Sequence, residues 1–245
     1  MNLEEITLIV PTKNEAPNIE YFLDSVSCDI NIIIVDASTD NTCDIIQSRR
    51  QSSIQFIRDG GNIATARQLA AEHAKTDWLL FSDADVAFAK DYFEILRKIN
   101  LSTHHAGLIG AKLSRKRYQC YYRLFSQWLK VCCTLGLPGA SGSNMLVNRK
   151  VLMEIGGFDF CLSCNEDTEL IWRLQRNGYR INYDGRLKVY EFDHRRLDQG
   201  IFKKTIHSLT RCALLLLGLK AFLKKNDWGY WRSKSKKKSL TTLCQ

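Results

Sequence analysis

The opening of the chain decides the fold: residues 6–15 read ITLIVPTKNE and residues 32–36 read IIIVD. The first stretch begins with an apolar run rich in β-branched residues that Pro11 stops, and the second repeats the pattern before Asp36. Apolar runs of this kind, without polar alternation, are typical of strands buried on both faces of a sheet. Residues 19–27 carry apolar side chains at helical spacing, so the sequence predicts a βαβ unit.

The same alternation continues along the chain. An apolar run at 54–57, a helix at 64–74 and a strand at 78–81 extend the unit into an α/β fold with a Rossmann-like, mainly parallel sheet and helices on both faces. Further elements are expected to join the same core: helices at 91–99, 118–133, 149–155 and 166–177, and strands at 108–113 and 145–147.

Size and composition indicate one globular domain with a short appendage. The chain has 245 residues, of which 45% are hydrophobic and 25% charged. We expect a core domain at 1–200, with a first half at about 1–100 and a second at 101–200, followed by a helical basic extension at 201–245. The nine cysteines have no regular spacing, and residues 1–5 do not resemble a signal peptide, so a reducing cytoplasm is expected.

The C-terminal extension carries most of the net charge of +9. Basic residues crowd 203–238, where Asp227 is the single acid, and the sequence from 201 to 223 mixes them with apolar residues before Trp228, Tyr230 and Trp231. One interpretation is an amphipathic helix lying on an anionic membrane. The other is a helix packed on the core with a solvated tail. The apolar run at 213–219 is shorter than the roughly 20 residues that span a bilayer.

Polar residues follow three of the predicted strands, at the edge of a parallel sheet where ligands bind. One of these loops is Asp83-Ala84-Asp85. Two carboxylates from one loop suit Mg²⁺ or Mn²⁺ bridged to a diphosphate, although such triplets also occur as solvated turns. The sequence therefore points to a metal and phosphate site at this loop.

Two further positions carry candidate chemistry. Asn165-Glu166-Asp167 opens a predicted helix, where carboxylates serve as caps or, for Asp167, as a general base that takes a proton from a hydroxyl. His194 lies beyond the predicted helix at 166–177, near the end of the predicted core domain, where an imidazole completes a metal shell or simply packs on the surface.

Six motifs in order resemble those of the glycosyltransferases of family 2, with a GT-A type fold, over roughly residues 3–190. They are PTKNE at 11–15, DASTDNT at 36–42, DAD at 83–85, GASGSN at 139–144, GGFD at 156–159 and NED at 165–167. The chain reads Val35-Asp36-Ala37-Ser38 where the family usually has two adjacent aspartates before a glycine-serine pair, so the base of the donor stays open. The QxxRW motif of processive synthases is missing from the sequence, which favours transfer of a single sugar.

The resemblance implies a role for each matching residue. The donor nucleotide sugar is expected to contact Pro11, Thr12, Glu15, Asp36, Arg67, Asp83 and Ala84. Asp85 is expected to hold the metal, with His194 as a second ligand, and Asp167 to act as the base for a single displacement with inversion. The acceptor side is expected to include Gly142, Ser143, Asn144 and Glu166.

The sequence thus predicts an inverting, Mg²⁺- or Mn²⁺-dependent glycosyltransferase that moves one sugar from a nucleotide-diphosphate sugar, with UDP favoured, to an acceptor hydroxyl on a glycan, lipid-linked sugar or other molecule. Cell-surface polysaccharide or glycolipid biosynthesis is the expected setting, with peripheral contact at the inner face of the cytoplasmic membrane. A nucleotidyltransferase is the rival enzyme, although residues 11–15 lack the glycine-rich phosphate loop it usually needs. A noncatalytic nucleic-acid binder is the third interpretation, for which no recognised binding motif is present.

Overall fold

One mixed sheet runs through the computed structural model, which describes residues 1–49, 53–101, 105–162 and 164–224. Within these residues the sheet has eight strands in the order β3-β2-β1-β4-β7-β6-β8-β5. The strands are β1 Ile6–Thr12, β2 Asn31–Asp36, β3 Ile54–Arg58, β4 Trp78–Phe81, β5 Val86–Phe88, β6 His105–Leu113, β7 Met145–Asn148 and β8 Arg180–Glu191.

Helices lie on both faces of this sheet. They are α1 Ile19–Asp24, α2 Thr42–Ser48, α3 Ile63–His73, α4 Tyr92–Lys98, α5 Gln119–Leu135, α6 Arg149–Glu154, α7 Glu166–Arg176, α8 Arg195–Asp198, α9 Ile201–Leu216 and α10 Ala221–Lys224. A short 3₁₀ turn at Leu3–Glu5 precedes β1. The predicted α/β class with a Rossmann-like sheet is confirmed.

The first half is parallel, as its apolar strands predict. β1 pairs in parallel with β2 and with β4, and β2 pairs in parallel with β3. Every residue of β1 is buried, because helices cover the sheet on both faces. The strand passes through Pro11, where the sequence predicted it to stop. Pairing with β4 ends at Ile9, opposite Phe81, so the missing amide of Pro11 costs no bond to that neighbour.

The second half brings antiparallel pairing. β7 lies antiparallel between β4 and β6, β8 runs parallel to β6, and β5 pairs antiparallel with the end of β8. The sequence analysis missed β5, which is only Val86–Phe88. Its pairing places Val86 opposite Glu191, so the loop that carries Asp85 lies beside the end of β8.

Two apolar layers, one on each face of the sheet, form the core. Phe22, Tyr92 and Phe93 belong to one layer, and Phe158 and Leu170 belong to the other. Both layers draw residues from before and after residue 100. The second half therefore extends the same core, and the polar loops at the strand ends share one edge.

The C-terminal helix is shorter than expected. α9 ends at Leu216 rather than near residue 223, because Gly218 adopts a left-handed conformation (φ 71°) that ends the helix. The predicted basic tail, with Trp228, Tyr230 and Trp231, lies outside the described residues. Among the helices of the described residues, none is long and apolar enough to cross a membrane.

Candidate active site

The loops after β1 and β2 meet at a fully buried carboxylate, Asp36. Its Oδ1 accepts hydrogen bonds from the hydroxyls of Thr12 at 2.7 Å and Ser38 at 2.5 Å. Arg58 pairs with the other oxygen at 3.1 Å. Pro11 and Thr12, both buried, are the last two residues of β1, and Thr12 lies opposite Asp36 in the pairing with β2. The three contacts with Thr12, Ser38 and Arg58 fix the orientation of the Asp36 carboxylate.

Glu15 lies in the adjoining turn. The preceding residue, Asn14, has φ 57°, and its Oδ1 accepts a hydrogen bond from the Thr39 amide at 2.8 Å, which joins the two loops. The Glu15 carboxylate accepts a hydrogen bond from Asn18 at 2.7 Å and lies 3.8 Å from a guanidinium nitrogen of Arg195. Glu15 is therefore held between the first loop and the segment that follows β8.

Arg67 ties the two halves of the site together. This fully buried residue of α3 donates a hydrogen bond from Nη2 to Asp83 at 2.9 Å and forms a salt bridge through Nη1 with Glu166. Burial would raise the pKa of Asp83, but Arg67, Lys112 and the Ser143 hydroxyl hold it below its ordinary value. Burial raises the pKa of Glu166 to about 7, although Arg67 opposes the shift. The guanidinium therefore offsets much of the cost of burying two carboxylates.

Consecutive residues of the loop before β7 connect Asp83 to Asp167. The Gly142 amide donates to Asp167 Oδ2 at 2.6 Å, and the Ser143 hydroxyl donates to Asp83 Oδ2 at 2.5 Å. A side chain at Gly142 would collide with Arg67, because a Cβ there would lie 2.1 Å from its Nη2. Only glycine allows the loop to approach the guanidinium so closely, so the predicted GASGSN motif at 139–144 has a geometric reason.

A buried cluster around Lys112 was missed by the sequence analysis. Lys112 forms a salt bridge with Glu191 and donates to the Ser143 hydroxyl at 2.9 Å. Burial and the nearby Asp85 raise the pKa of Glu191 to about 8. The available signal was a lysine inside an apolar strand, but its partner lies on β8 and cannot be identified from one sequence.

Asp85 fits a cation site. Its Oδ1 is buried without a hydrogen-bond partner in the described residues, and burial together with Asp83 raises the pKa of its carboxyl. A divalent cation would supply both the missing ligand contact and the charge that offsets the crowded carboxylates. In the described part of the chain, no group of three or more His, Cys, Asp or Glu side chains is gathered in ligating geometry.

Three of the predicted site residues, His194, Asn144 and Ala84, are buried in the protein. The ring nitrogens of His194 lie 3.3 Å from the Ser114 hydroxyl and 3.4 Å from the Tyr122 hydroxyl, and burial lowers its pKa. Asn144 is fully buried and accepts a hydrogen bond from Tyr92 at 2.6 Å. Ala84 is also buried. The Asn144 side-chain amide also donates to the carbonyls of Ala111 on β6 and Leu187 on β8, so it links these two strands near the site.

Residues from distant parts of the chain line one cavity of about 480 Å³. Asp83, Gly142, Ser143, Glu166 and Asp167 all lie on its wall. Of the two carboxylates in the loop at 83–85, Asp83 lines this cavity together with Asp167, and Asp85 lies close to Lys112 and Glu191, which belong to the same wall. α5 and α9 form the opposite, largely apolar side.

Comparison with known proteins identifies the family of this chain. A family model described as Glycosyl transferase family 2 matches residues 7–156, more than half of the chain. The chain belongs to glycosyl transferase family 2. The matched segment contains β1 to β7 and therefore every loop discussed above except those after α6.

One curated relative and two solved structures are similar to this chain. Succinoglycan biosynthesis protein ExoA of Rhizobium meliloti (strain 1021) is 26% identical over 207 residues, which cover 74% of this chain and 62% of that protein. The mannosyltransferase PcManGT of Pyrobaculum calidifontis, solved with GDP-Man and Mn²⁺, has a TM-score of 0.63 at 23% identity, covering 76% of this chain and 56% of that one. TarS of S. aureus, solved with UDP-GlcNAc, has a TM-score of 0.60 at 18% identity, covering 77% and 60%.

These relatives are longer than the family 2 chain described here. It spans 62% of ExoA and 56% and 60% of the two solved chains. At identities of 23% and 18%, the solved structures establish the GT-A fold.

Proposed function

We propose that this family 2 protein transfers a single sugar from a nucleotide-diphosphate sugar to an acceptor hydroxyl, with inversion at the anomeric carbon. The observation that carries the proposal is the shared cavity, in which Asp83 and Asp167 are linked through Gly142 and Ser143. Membership of the family favours sugar transfer over nucleotidyl transfer or nucleic-acid binding.

The donor would occupy the edge formed by the loops after β1, β2 and β4. Asp36, fixed by Thr12 and Ser38, would accept a hydrogen bond from the nucleotide base. PcManGT was solved with a guanine nucleotide and TarS with a uracil nucleotide, so the fold accommodates both bases. Residues 36–42 resemble the aspartate-rich motif with which the family binds uracil or another base, and this resemblance favours UDP.

Asp167 would serve as the general base. Its carboxylate accepts hydrogen bonds from the amides of Gly142 and Thr168, both at 2.6 Å, which orients it on the cavity wall. The acceptor hydroxyl would give its proton to Asp167 while its oxygen bonds to the anomeric carbon. The bond from that carbon to the diphosphate oxygen breaks, and the nucleoside diphosphate leaves from the opposite face.

Asp85 would hold Mg²⁺ or Mn²⁺, with Asp83 and Glu191 close by and His194 as a further candidate ligand. The bound cation would supply positive charge to the leaving diphosphate. Arg67 would keep Asp83 ionised and directed toward the sugar. Lys112 would add a second positive charge near the same edge.

The setting we propose is cell-surface polysaccharide or glycolipid biosynthesis at the inner face of the cytoplasmic membrane. The support is the kind of relative, a succinoglycan biosynthesis protein, and the exposed apolar face of α9, which carries Phe202 and Ile206. An amphipathic helix of this kind can lie in the lipid interface.

A donor panel tests the proposal. UDP- and GDP-sugars, each with and without Mn²⁺, are screened for a rise in unfolding temperature, because a ligand that binds the folded state raises the unfolding free energy. We expect one sugar nucleotide to stabilise the chain only with the metal and to release nucleoside diphosphate when acceptor is added. Pyrophosphate release from a nucleoside triphosphate would instead identify a nucleotidyltransferase.

A further inference from the structure

The cavity beside Asp167 continues into an apolar cleft between α5 and α9. Leu124 and Trp128 of α5 and Ile201 and Leu209 of α9 line it. All four are also exposed at the surface, from 42% for Ile201 to 72% for Leu124. The cleft therefore leads from the carboxylates of the site to an apolar outer surface.

Two cations of α9 line the same cleft. Lys204 donates a hydrogen bond to the Tyr121 hydroxyl at 2.7 Å and lies over the rings of Tyr121 and Phe125. Arg211 contacts the Ser208 hydroxyl at 3.5 Å, and its Nε is buried with no hydrogen-bond partner in the part of the chain that the structure describes. Neither cation forms a salt bridge with an Asp or Glu of the described residues.

Cations held against apolar walls without a carboxylate are unfavourable in the absence of an anion. Most acids on the cavity wall already have basic partners: Asp83 and Glu166 pair with Arg67, and Glu191 pairs with Lys112. Burial, with Arg196, Lys112 and Arg211 nearby, lowers the pKa of Lys204 to about 7. An anionic ligand would restore the charge of Lys204 and give Arg211 a negatively charged partner.

We propose that the cleft between α5 and α9 binds the acceptor, and that this acceptor is a lipid phosphate whose headgroup carries the reacting hydroxyl. Its phosphate meets Lys204 and Arg211, while its hydrocarbon chain lies along Leu124, Trp128 and Leu209. This inference rests on the proposed sugar transfer, since it names the acceptor of that reaction. The charge complementarity comes from α9, and the apolar side chains that line the cleft beside the two cations suit a hydrocarbon chain, which a free anion lacks.

A purely polar acceptor fits this cleft poorly. An oligosaccharide alone would leave the Leu124 and Trp128 side chains in contact with water and would not neutralise Lys204. A lipid phosphate satisfies both, because its headgroup accepts charge-assisted hydrogen bonds and its chain removes apolar surface from water. The acceptor hydroxyl would then reach Asp167, which lies on the wall of the same cavity.

Calorimetric titration of the whole chain with dodecyl phosphate, below its critical micelle concentration, tests the proposal without any sugar nucleotide. We expect saturable binding of one molecule per chain. The double variant Lys204→Met, Arg211→Met should weaken it by about tenfold or more, the loss expected for hydrogen bonds to a charged group. Lys203→Met is the matched control, because Lys203 is exposed on the same helix and does not line the cavity, and its binding should equal that of the unmodified chain.

Two other ligands distinguish the contribution of the phosphate from that of the hydrocarbon chain. Inorganic phosphate and dodecyl maltoside should each bind at least about tenfold more weakly than dodecyl phosphate, since each lacks one half of the recognition. Equal affinity for inorganic phosphate would identify a simple anion site, and equal affinity for dodecyl maltoside would identify an apolar groove that does not recognise phosphate. Either result, absence of binding, or equal weakening by Lys203→Met would overturn the proposal.

A second variant protects the test against misfolding of the double variant. Leu209→Asn changes a half-exposed position of the wall and should weaken dodecyl phosphate while leaving ethyl phosphate unaffected. If Leu209→Asn changes neither, the hydrocarbon chain does not lie in the cleft. Because these titrations contain no donor, a failure of sugar transfer and a failure of lipid phosphate binding are separate results.

Discussion

The Asp167 carboxylate accepts a hydrogen bond from the Gly142 amide at 2.6 Å, which joins the start of α7 to the loop before β7. The next residue of that loop, Ser143, bonds Asp83. Two carboxylates from distant parts of the chain are thus positioned by one pair of loop residues. Any change that moves this loop should alter both the proposed base and the donor side.

Gly142→Ala should disrupt the site. Its Cβ would lie 2.1 Å from Nη2 and 2.5 Å from Nη1 of Arg67, so the guanidinium or the loop must shift. We expect a loss of about 1 to 3 kcal/mol in the free energy of unfolding, typical of overpacking, together with a fall in turnover. Denaturant unfolding and a product assay measure the two effects. Gly60→Ala is the control, because a Cβ there meets no atom within 4 Å, and equal effects of both changes would refute the steric explanation.

Arg67→Met should destabilise the protein strongly. It removes the shared partner of Asp83 and Glu166 and leaves two buried carboxylates without their cation. Breaking a buried ion pair in this way costs about 3 to 5 kcal/mol. Urea unfolding at neutral pH measures the loss. Lowering the pH should recover part of it, since protonated carboxyls need no cation, and a loss independent of pH would contradict the electrostatic account.

Lys204 should make stability depend on pH in the alkaline range. Its pKa falls from an ordinary 10.5 to about 7 in the folded chain, chiefly through burial. Between these values the unfolded chain binds the proton that the folded chain has released, so the contribution of Lys204 to the free energy of unfolding rises with pH. Relative to the unmodified protein, Lys204→Met should therefore be most stabilising below about pH 7 and least above about pH 10. Thermal unfolding across this range checks it, and a difference that does not vary with pH would rule the shift out.

Asp85→Asn should abolish the stabilisation of the protein by Mn²⁺. The change removes one negative charge from a buried group whose Oδ1 lacks a hydrogen-bond partner, while keeping its shape. The unfolding temperature is measured with increasing Mn²⁺ for both proteins. His194→Gln forms the comparison: if His194 serves as a ligand it also weakens the response, and if it only packs against Tyr122 the response is unchanged. An undiminished response in Asp85→Asn would remove Asp85 from the metal site.

The strands of the first half could be predicted from the sequence because continuous apolar runs have few alternative structures. The run at 78–81, for example, coincides with β4. β5 could not be predicted, since three residues give no periodicity and its partner β8 is far along the chain. The end of α9 was also wrong, because apolar residues continue past Gly218 while the backbone turns there.

For the site residues too, local motifs could be predicted from the sequence, and contacts between distant residues could not. Motif position indicated Asp83 and Asp167, and the structure places both on one cavity. The salt bridge between Lys112 and Glu191 could not be predicted, because pairing between distant strands depends on the sheet order. Sequence indicated which loops carry the chemistry, and tertiary packing decided which side chains meet.

The most direct test of the account is Asp167→Asn, assayed for both sugar transfer and donor binding. Asparagine keeps an oxygen that can accept the Gly142 hydrogen bond but cannot take a proton from the acceptor. We expect kcat to fall by about 100-fold to 10,000-fold, the usual contribution of a general base, while the Kd for the nucleotide sugar with Mn²⁺ stays within about twofold. Equal losses of donor affinity and turnover, or undiminished turnover, would contradict the assignment of Asp167 as the base.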